Sequence, residues 1–191
     1  LVELKDRAEN PLGPKPVKFD RAQMEALEKE ILSVLKLGRI ITPDFVRGDK
    51  ANLRDTISQK GWPMLEKCRG MIMFCLDNEG SHREEYLKGN PTLEERLLFV
   101  SVGLDHPAAA WMKRNDPIGG FQEIQQLVKA GFMVRTRADA NTVEARANDR
   151  ARSIKALESG AQFVSSDFPD KVPQISEYEV RLPDRAVARA N

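Results

Sequence analysis

Two residues of opposite charge stand two positions apart near the start of the chain. Glu3 and Lys5 alternate with the apolar residues Val2 and Leu4, which in a β-strand puts the charged pair on one face and the apolar pair on the other. A carboxylate can supply a hard oxygen ligand to a cation, and a lysine can supply a positive charge to an anion. The same spacing suits an inward-facing ion pair in a protein core, and spacing alone leaves both interpretations open.

Two arginines repeat this spacing later in the chain. Arg135 and Arg137 occupy alternate positions of a second strand-like segment. Arginines that point inward at a strand end are costly to bury unless they meet anions. The anion can be a phosphate, or it can be a carboxylate such as that of nearby Asp139. The pair therefore indicates either an anion-binding site or internal charge compensation.

Two further carboxylates are candidate site residues, whereas the only two histidines of the sequence are not. Asp77 and Asp167 follow apolar segments, and either can face an active site, although a turn or a helix cap is the commoner role. His82 and His106 lie in polar segments with no orienting carboxylate at helix or strand spacing. We expect both histidines to be surface residues without a catalytic role. No histidine acid–base pair is predicted within the chain.

Trp111 stands close to two basic residues after a predicted strand. An aromatic residue near Lys113 and Arg114 can contact a lipid surface. A short helix that packs the tryptophan inward is the commoner arrangement. Peripheral lipid contact is therefore one of two alternatives for this segment.

Short apolar runs alternate with amphipathic segments along the chain. The runs are typical of strands in a parallel sheet, and they cover residues 1–5, 71–76, 97–102, 132–137 and 162–165. Helices are predicted between them, among others at residues 53–59 and 121–129. This alternation predicts an α/β fold with a parallel sheet.

Two of the predicted helices carry clear start signals. Asp20 is placed to cap the first helix, which is expected to end at Gly38. Asn141 is placed to cap the last, with Glu144 in the reciprocal capping-box position. Each helix is expected to bury one apolar stripe, formed in the first by Met24, Leu27, Ile31, Val34 and Leu35, and in the last by Ala147, Ala151, Ile154 and Leu157.

The predicted strands suit either an open doubly wound sheet or part of a closed barrel. The open sheet would need a glycine-rich turn after its first strand to hold a dinucleotide phosphate, and the sequence has none there. A complete (β/α)8 barrel of the TIM type needs about 250 residues. The 191 residues are therefore predicted to form a single domain, residues 1–191, that supplies roughly the last five βα units of such a barrel. Because the first residues already read as a strand, we expect the N-terminal remainder of the barrel, on the same or a separate chain, to complete it.

The charge balance argues against a nucleic-acid partner, and the hydropathy pattern argues against a membrane span. Lys and Arg total 30 against 29 Asp and Glu, a net charge of +1, whereas a nucleic-acid partner would need a clustered basic excess. No apolar run approaches the roughly 18 residues of a membrane span. Neither a nucleic-acid partner nor a membrane span is predicted.

Several segments resemble one superfamily of phosphodiesterases. The VELK segment at residues 2–5 resembles the central E-x-K strand of the phospholipase C-like and glycerophosphodiester phosphodiesterase superfamily, and GAQFVSSDFP at residues 160–169 resembles its last barrel strand. More narrowly, ITPDFVRG, GWPMLEKCRG, MFCLDN, KRNDP and the long stretch at residues 135–169 are similar to the calcium-dependent phosphoinositide phospholipase C family. The resemblance covers essentially the whole chain. The family's first strands, which carry two histidines and a Glu-x-Asp metal motif, have no counterpart in it.

This resemblance implies metal-dependent cleavage of a phosphodiester, in which a hydroxyl next to the phosphate displaces the lipid alcohol and leaves a cyclic phosphate. The implied cation is calcium ahead of magnesium, with Glu3 as one ligand and Lys5 against the phosphate. Arg135 and Arg137 are our own assignment as anion-binding residues. The implied substrate is an inositol phospholipid or a related headgroup phosphodiester, and the implied location is extracellular.

Two other functions remain open. A soluble glycerophosphodiester phosphodiesterase uses the same barrel without a preference for lipid surfaces, and a non-catalytic barrel can bind anionic headgroups or a partner. The presence of two histidines and a Glu-x-Asp motif elsewhere in the complete protein would favour an enzyme, and their loss would favour a binding protein.

Overall fold

A computed structural model describes residues 1–6 and 13–190 of the chain. Within it the chain divides into two compact units, of which the first ends at Trp111 and the second begins at Met112. The assignment of residues 1–191 to a single domain stays a prediction.

The first unit combines short helices with a small parallel sheet. Its strands are β1 (Ile40–Ile41), β2 (Ile72–Leu76) and β3 (Leu98–Val100), in the order β1-β2-β3. Both strand pairs are parallel, with Ile40 opposite Ile72 and Phe74 opposite Leu98. Its helices are α1 (Arg21–Val34), α2 (Pro43–Arg47), α3 (Leu53–Gln59), α4 (Leu65–Cys68) and α5 (Ser81–Leu87).

Helix α1 begins where the sequence predicts and ends earlier. The Asp20 side chain accepts hydrogen bonds from the N–H groups of Ala22 and Gln23 and so caps the helix. The chain leaves the helix at Leu35, whose backbone is extended, so the predicted end at Gly38 is wrong. Val34 is consequently exposed, and the apolar stripe is shorter than predicted.

A buried polar network joins α1 to α5 and to the start of β3. Glu28 accepts hydrogen bonds from the Tyr86 hydroxyl, from the N–H of Leu97 and from Arg96, whose Nη1 lies 3.0 Å from a Glu28 oxygen. The Arg96 guanidinium also lies over the Tyr86 ring at 4.8 Å. The Tyr86 hydroxyl in turn accepts from the N–H of Leu98, so the network fixes the edge of the core strand β3.

The second unit carries the other sheet. Its helices are α6 (Phe121–Lys129), α7 (Val143–Ala147) and α8 (Ala151–Glu158). Its strands are β4 (Trp111–Lys113), β5 (Met133–Arg137) and β6 (Phe163–Ser165). Strand β4 begins at the last residue of the first unit. The order is β4-β5-β6, and β5 and β6 run parallel.

The last predicted helix is two helices. Asn148 adopts a left-handed conformation at φ 50° and ends α7, so α8 starts with a different phase. The predicted cap at Asn141 is wrong, because the residue before α7 is Thr142 and it makes no side-chain capping hydrogen bond. Glu144 accepts a hydrogen bond from the N–H of Ala140. The predicted stripe is therefore wrong, since Ile154 is half exposed, and the residues that these two helices bury are Ala145, Ser153 and Ala156.

The α/β class with parallel strands is confirmed. The strands predicted around β2, β3, β5 and β6 are present, and α3 and α6 have the predicted bounds. The strand predicted at residues 1–5 is reduced to an isolated bridge at Val2. In residues 1–6 and 13–190 the sheets are small and unclosed, so closure into a (β/α)8 barrel stays a prediction. None of the helices in this described part is long and apolar enough to cross a bilayer.

Candidate functional site

In the first unit, the opening segment lies along the carboxyl end of β2. Val2 pairs with Leu76 in a parallel bridge, and the Asp77 N–H donates to the Val2 carbonyl at 2.7 Å. Asn78 extends this pairing with its side chain, because its Oδ1 accepts from the Leu4 N–H at 2.6 Å and its Nδ2 donates to the Leu4 carbonyl at 2.8 Å. Residues 1–6 are thereby held as a neighbour of β2.

Glu3 and Lys5 have the alternating placement that their spacing predicts. Leu4 between them is buried, whereas the side chains of Glu3 and Lys5 are 57% and 64% exposed. The Lys5 ammonium lies 3.8 Å from a Glu3 oxygen. An ion pair this exposed contributes little to stability, and both charged groups lie at the surface.

The prediction that His82 is a surface residue is wrong. It lies in the first turn of α5, its side chain is only 18% exposed, and its Nε2 is 2.8 Å from Oδ2 of Asp6. Asp6 is itself only 12% exposed and also accepts a hydrogen bond from the Phe19 N–H. The hydrogen bond to His82 is the first cause that lowers the pKa of Asp6, and the Phe19 N–H lowers it further.

His106 and Asp77 have backbone roles. The Nδ1 of His106 accepts a hydrogen bond from the N–H of Ala108 at 3.1 Å, which leaves its ring proton on Nε2 in the neutral form. Burial lowers the pKa of His106 and favours that form. Asp77 is half-buried at the end of β2, where its N–H continues the pairing to Val2.

In the second unit, Arg135 and Arg137 lie on one face of β5. The residues between and beside them, Val134 and Thr136, are fully buried, which confirms the predicted period of two. Arg135 donates to the side-chain oxygen of Asn115 at 2.6 Å. Arg137 is half-buried, and its guanidinium forms no hydrogen bond or ion pair with another described residue. A guanidinium in this state is suited to an anionic ligand.

Asp139 is the buried acceptor of a hydrogen-bond cluster in the second unit. It is 2% exposed, and it accepts from the Ser166 hydroxyl, from the Asp167 N–H at 3.0 Å and from the Tyr178 hydroxyl at 3.5 Å. Burial and the nearby Asp139 carboxylate raise the pKa of Tyr178 to about 12. The Asp167 side chain is exposed, so it is the backbone of Asp167 that Asp139 holds.

Trp111 begins strand β4, so the predicted short helix at this segment is wrong. Its side chain is 2% exposed and Met112 is fully buried. The tryptophan is therefore packed inward, and lipid contact through Trp111 is excluded.

The described residues do not form a complete calcium site by themselves. Ca²⁺ takes about six to eight oxygen ligands, and in the described ranges no group of three His, Cys, Asp or Glu side chains is placed to hold a metal ion. Glu3 offers an exposed carboxylate, which is the donor type that Ca²⁺ prefers. Glu3 is therefore suited to supply one ligand of such a site.

The sequence reasoning missed Asn78 and the Asp6–His82 pair. A usable signal was present, because Asp6 continues the alternation that begins with Val2 and Leu4, and His82 follows the neighbouring strand β2. Carboxyl ends of adjacent parallel strands meet at one edge of a sheet, so polar residues after both strands are candidates for contact.

The fold and these residues define the class as a parallel α/β protein with an exposed Glu–Lys pair beside one strand. On another strand it carries an arginine whose guanidinium has no partner among the described residues. A comparison with protein families is more specific: the family described as phosphoinositide phospholipase C, Ca²⁺-dependent, matches residues 1–191. The chain belongs to this family, and the cofactor is calcium. No curated protein and no solved structure matches the chain.

Proposed function

We propose that this chain is part of a phospholipase C that cleaves the phosphodiester of an inositol phospholipid in the presence of Ca²⁺. A hydroxyl next to the phosphate would attack the phosphorus, the lipid alcohol would leave, and a cyclic phosphate would remain. The observation that carries the proposal is the family match over residues 1–191.

In this proposal Glu3 and Lys5 bind ligands at the end of the opening segment. Glu3 provides one oxygen ligand to Ca²⁺, and Lys5 contacts a phosphate oxygen. Their exposure and their long contact of 3.8 Å support this, because little stability is lost when the two charges separate to meet ligands. When bound, Ca²⁺ would stabilise negative charge on a phosphate oxygen. Proton transfer falls to the two histidines that the family resemblance assigns to strands not present here.

Arg137 is proposed as the anion-binding residue of the second unit, with Arg135 as its supporting neighbour. A half-buried guanidinium without a protein anion gains most from an oxyanion ligand. Arg135 is oriented by its hydrogen bond to Asn115 and adds positive charge on the same face of β5.

The larger assembly is also a proposal. The N-terminal remainder of a (β/α)8 barrel, on the same or a separate chain, would complete the parallel strands that are unclosed in the described residues. An extracellular location is proposed from the family resemblance alone. Contact with the lipid would be peripheral and would not involve Trp111, which is buried.

The test is product analysis with the complete protein. Vesicles of phosphatidylinositol are incubated with Ca²⁺ or with a chelator, and the products are followed by ³¹P NMR. We expect a cyclic inositol phosphate that forms only with Ca²⁺. Equal cleavage of a soluble glycerophosphodiester would instead support the glycerophosphodiester phosphodiesterase, and vesicle binding without cleavage would support a non-catalytic barrel.

A further inference from the structure

The Asp6–His82 pair joins three segments of the first unit. Nε2 of His82, in the first turn of α5, lies 2.8 Å from Oδ2 of Asp6, and the Phe19 N–H lies 3.1 Å from the same oxygen. Phe19 stands directly before Asp20, the cap of α1. One carboxylate oxygen therefore ties the opening segment to the starts of α1 and α5.

Lys5 lies between two anchored residues. On one side, Leu4 is held through both its N–H and its carbonyl by the side chain of Asn78. On the other side, Asp6 is held by His82 and by the backbone of Phe19. The side chains of Asp6 and His82 are 12% and 18% exposed, whereas that of Lys5 is 64% exposed. The backbone at Lys5 is fixed while its ammonium group is accessible.

We propose that Asp6 and His82 are a positioning pair for Glu3 and Lys5. The inference rests on the proposed function, since it concerns the same two charged residues. Neither Asp6 nor His82 touches the substrate in this account; they set where the Lys5 ammonium and the Glu3 carboxylate can reach. Displacing a binding group by about 1 Å can lower a reaction rate by about a hundredfold, so a pair that fixes the backbone acts mainly on turnover.

The side chain at position 82 needs only to donate a hydrogen bond to Asp6. Gln has a side-chain N–H that can donate to the Asp6 carboxylate, whereas Ala has none. His82→Gln is thus the conservative variant, and His82→Ala and Asp6→Asn remove or weaken the bond. His106→Ala is a matched control, because that histidine only accepts a hydrogen bond from the Ala108 N–H.

The experiment uses the complete protein and three measurements. Turnover and KM are measured on phosphatidylinositol vesicles with Ca²⁺, Ca²⁺ binding is measured by calorimetry, and hydrogen exchange is measured for residues 1–6. We expect His82→Ala and Asp6→Asn to lower kcat by about tenfold to a hundredfold with KM little changed, to weaken Ca²⁺ binding, and to speed exchange of residues 1–6. His82→Gln should restore most of the wild-type values, and His106→Ala should match the wild type.

Two results would overturn the positioning role. One is wild-type kcat and Ca²⁺ binding in His82→Ala, even with a lower melting temperature, since that would make the pair a purely structural bond. The other is a His82→Gln variant as impaired as His82→Ala, since a hydrogen-bond donor would then not suffice. A wild-type protein without activity would contradict the proposed function instead, and the calorimetry and exchange measurements would still decide the role of the pair.

Discussion

The side chain of Asn78 acts as a strand neighbour for the backbone of Leu4. Its oxygen and its nitrogen form hydrogen bonds of 2.6 and 2.8 Å with the Leu4 N–H and carbonyl. Strand β2 ends at Leu76, so without this amide the pairing of the opening segment would stop at Val2. The side chain of Asn78 thus continues the hydrogen bonding of the sheet to Leu4, which lies between Glu3 and Lys5.

Replacing Asn78 by Ala should therefore destabilise the protein. The change leaves the Leu4 N–H and carbonyl without their partners, which we expect to lower the free energy of unfolding by about 1–3 kcal/mol. Denaturant unfolding measures this, with Gln125→Ala, an exposed amide on α6, as a control expected to change stability by less than about 0.5 kcal/mol. Equal stability of both variants would contradict the role of Asn78.

Removing the buried carboxylate of Glu28 should lower the free energy of unfolding by more than the loss of Asn78 does. Glu28→Gln leaves Arg96, whose side chain is 5% exposed, without its anion. Breaking a buried pair in this way costs about 3–5 kcal/mol. The exposed pair of Lys155 and Glu158 provides the control, because Glu158→Gln should cost less than about 1 kcal/mol. If Glu28→Gln and Glu158→Gln lowered the free energy of unfolding equally, the buried network would add no stability.

The sequence predicted the regular elements well where a local pattern of a few residues was enough to define them. The helices at residues 53–59 and 121–129 have the predicted bounds, and the alternation in β5 placed both arginines on one face. Strand β4 was missed because Trp111 and the basic residues after it were interpreted as a short helix or a lipid contact. The break after α7 was missed because Asn148 adopts a left-handed conformation inside a pattern that reads as one helix.

The candidate site was predictable only in part, because its contacts join distant positions. Glu3 and Lys5 are two residues apart, so their spacing revealed their shared face. Asp6 and His82 are 76 positions apart, so their contact could be inferred only by recognising that the segments before them are neighbours in one sheet. His82 was therefore predicted to be a surface residue, although its side chain is only 18% exposed and lies beside a carboxylate.

The two tyrosines should both resist ionisation in the folded protein. Burial and Asp139 raise the pKa of Tyr178 from 10.0 to about 12, and burial and Glu28 raise the pKa of Tyr86. Since the raised pKa belongs to the folded state, the resulting stability is present below pH 10.0 and decreases as the pH rises further. An ultraviolet titration should show no tyrosine ionising near pH 10.0 before unfolding, and a residue that titrates there reversibly would contradict this burial.

The Asp6 carboxylate should contribute to the acid sensitivity of the protein. Its pKa is lowered from 3.8 by the hydrogen bond to His82, so its contribution to stability is present above pH 3.8 and is lost as the pH falls through the lower folded value. Between about pH 5 and about pH 3, the melting temperature of the wild type should fall more steeply than that of Asp6→Asn. Parallel curves for the two proteins would show that Asp6 is not stabilised as an anion.

The most direct test of the account is the activity of the complete protein on phosphatidylinositol vesicles, titrated with Ca²⁺ for the wild type, Glu3→Gln and Lys5→Met. Both side chains are exposed, so both variants should fold normally. Glu3→Gln should need at least about tenfold more Ca²⁺ for half-maximal activity, because it loses a charged oxygen ligand. Lys5→Met should lower turnover with little change in the Ca²⁺ requirement, because its charge acts on the phosphate. A Glu3→Gln variant with the wild-type rate and the wild-type Ca²⁺ dependence would contradict the assignment of Glu3 to the calcium site.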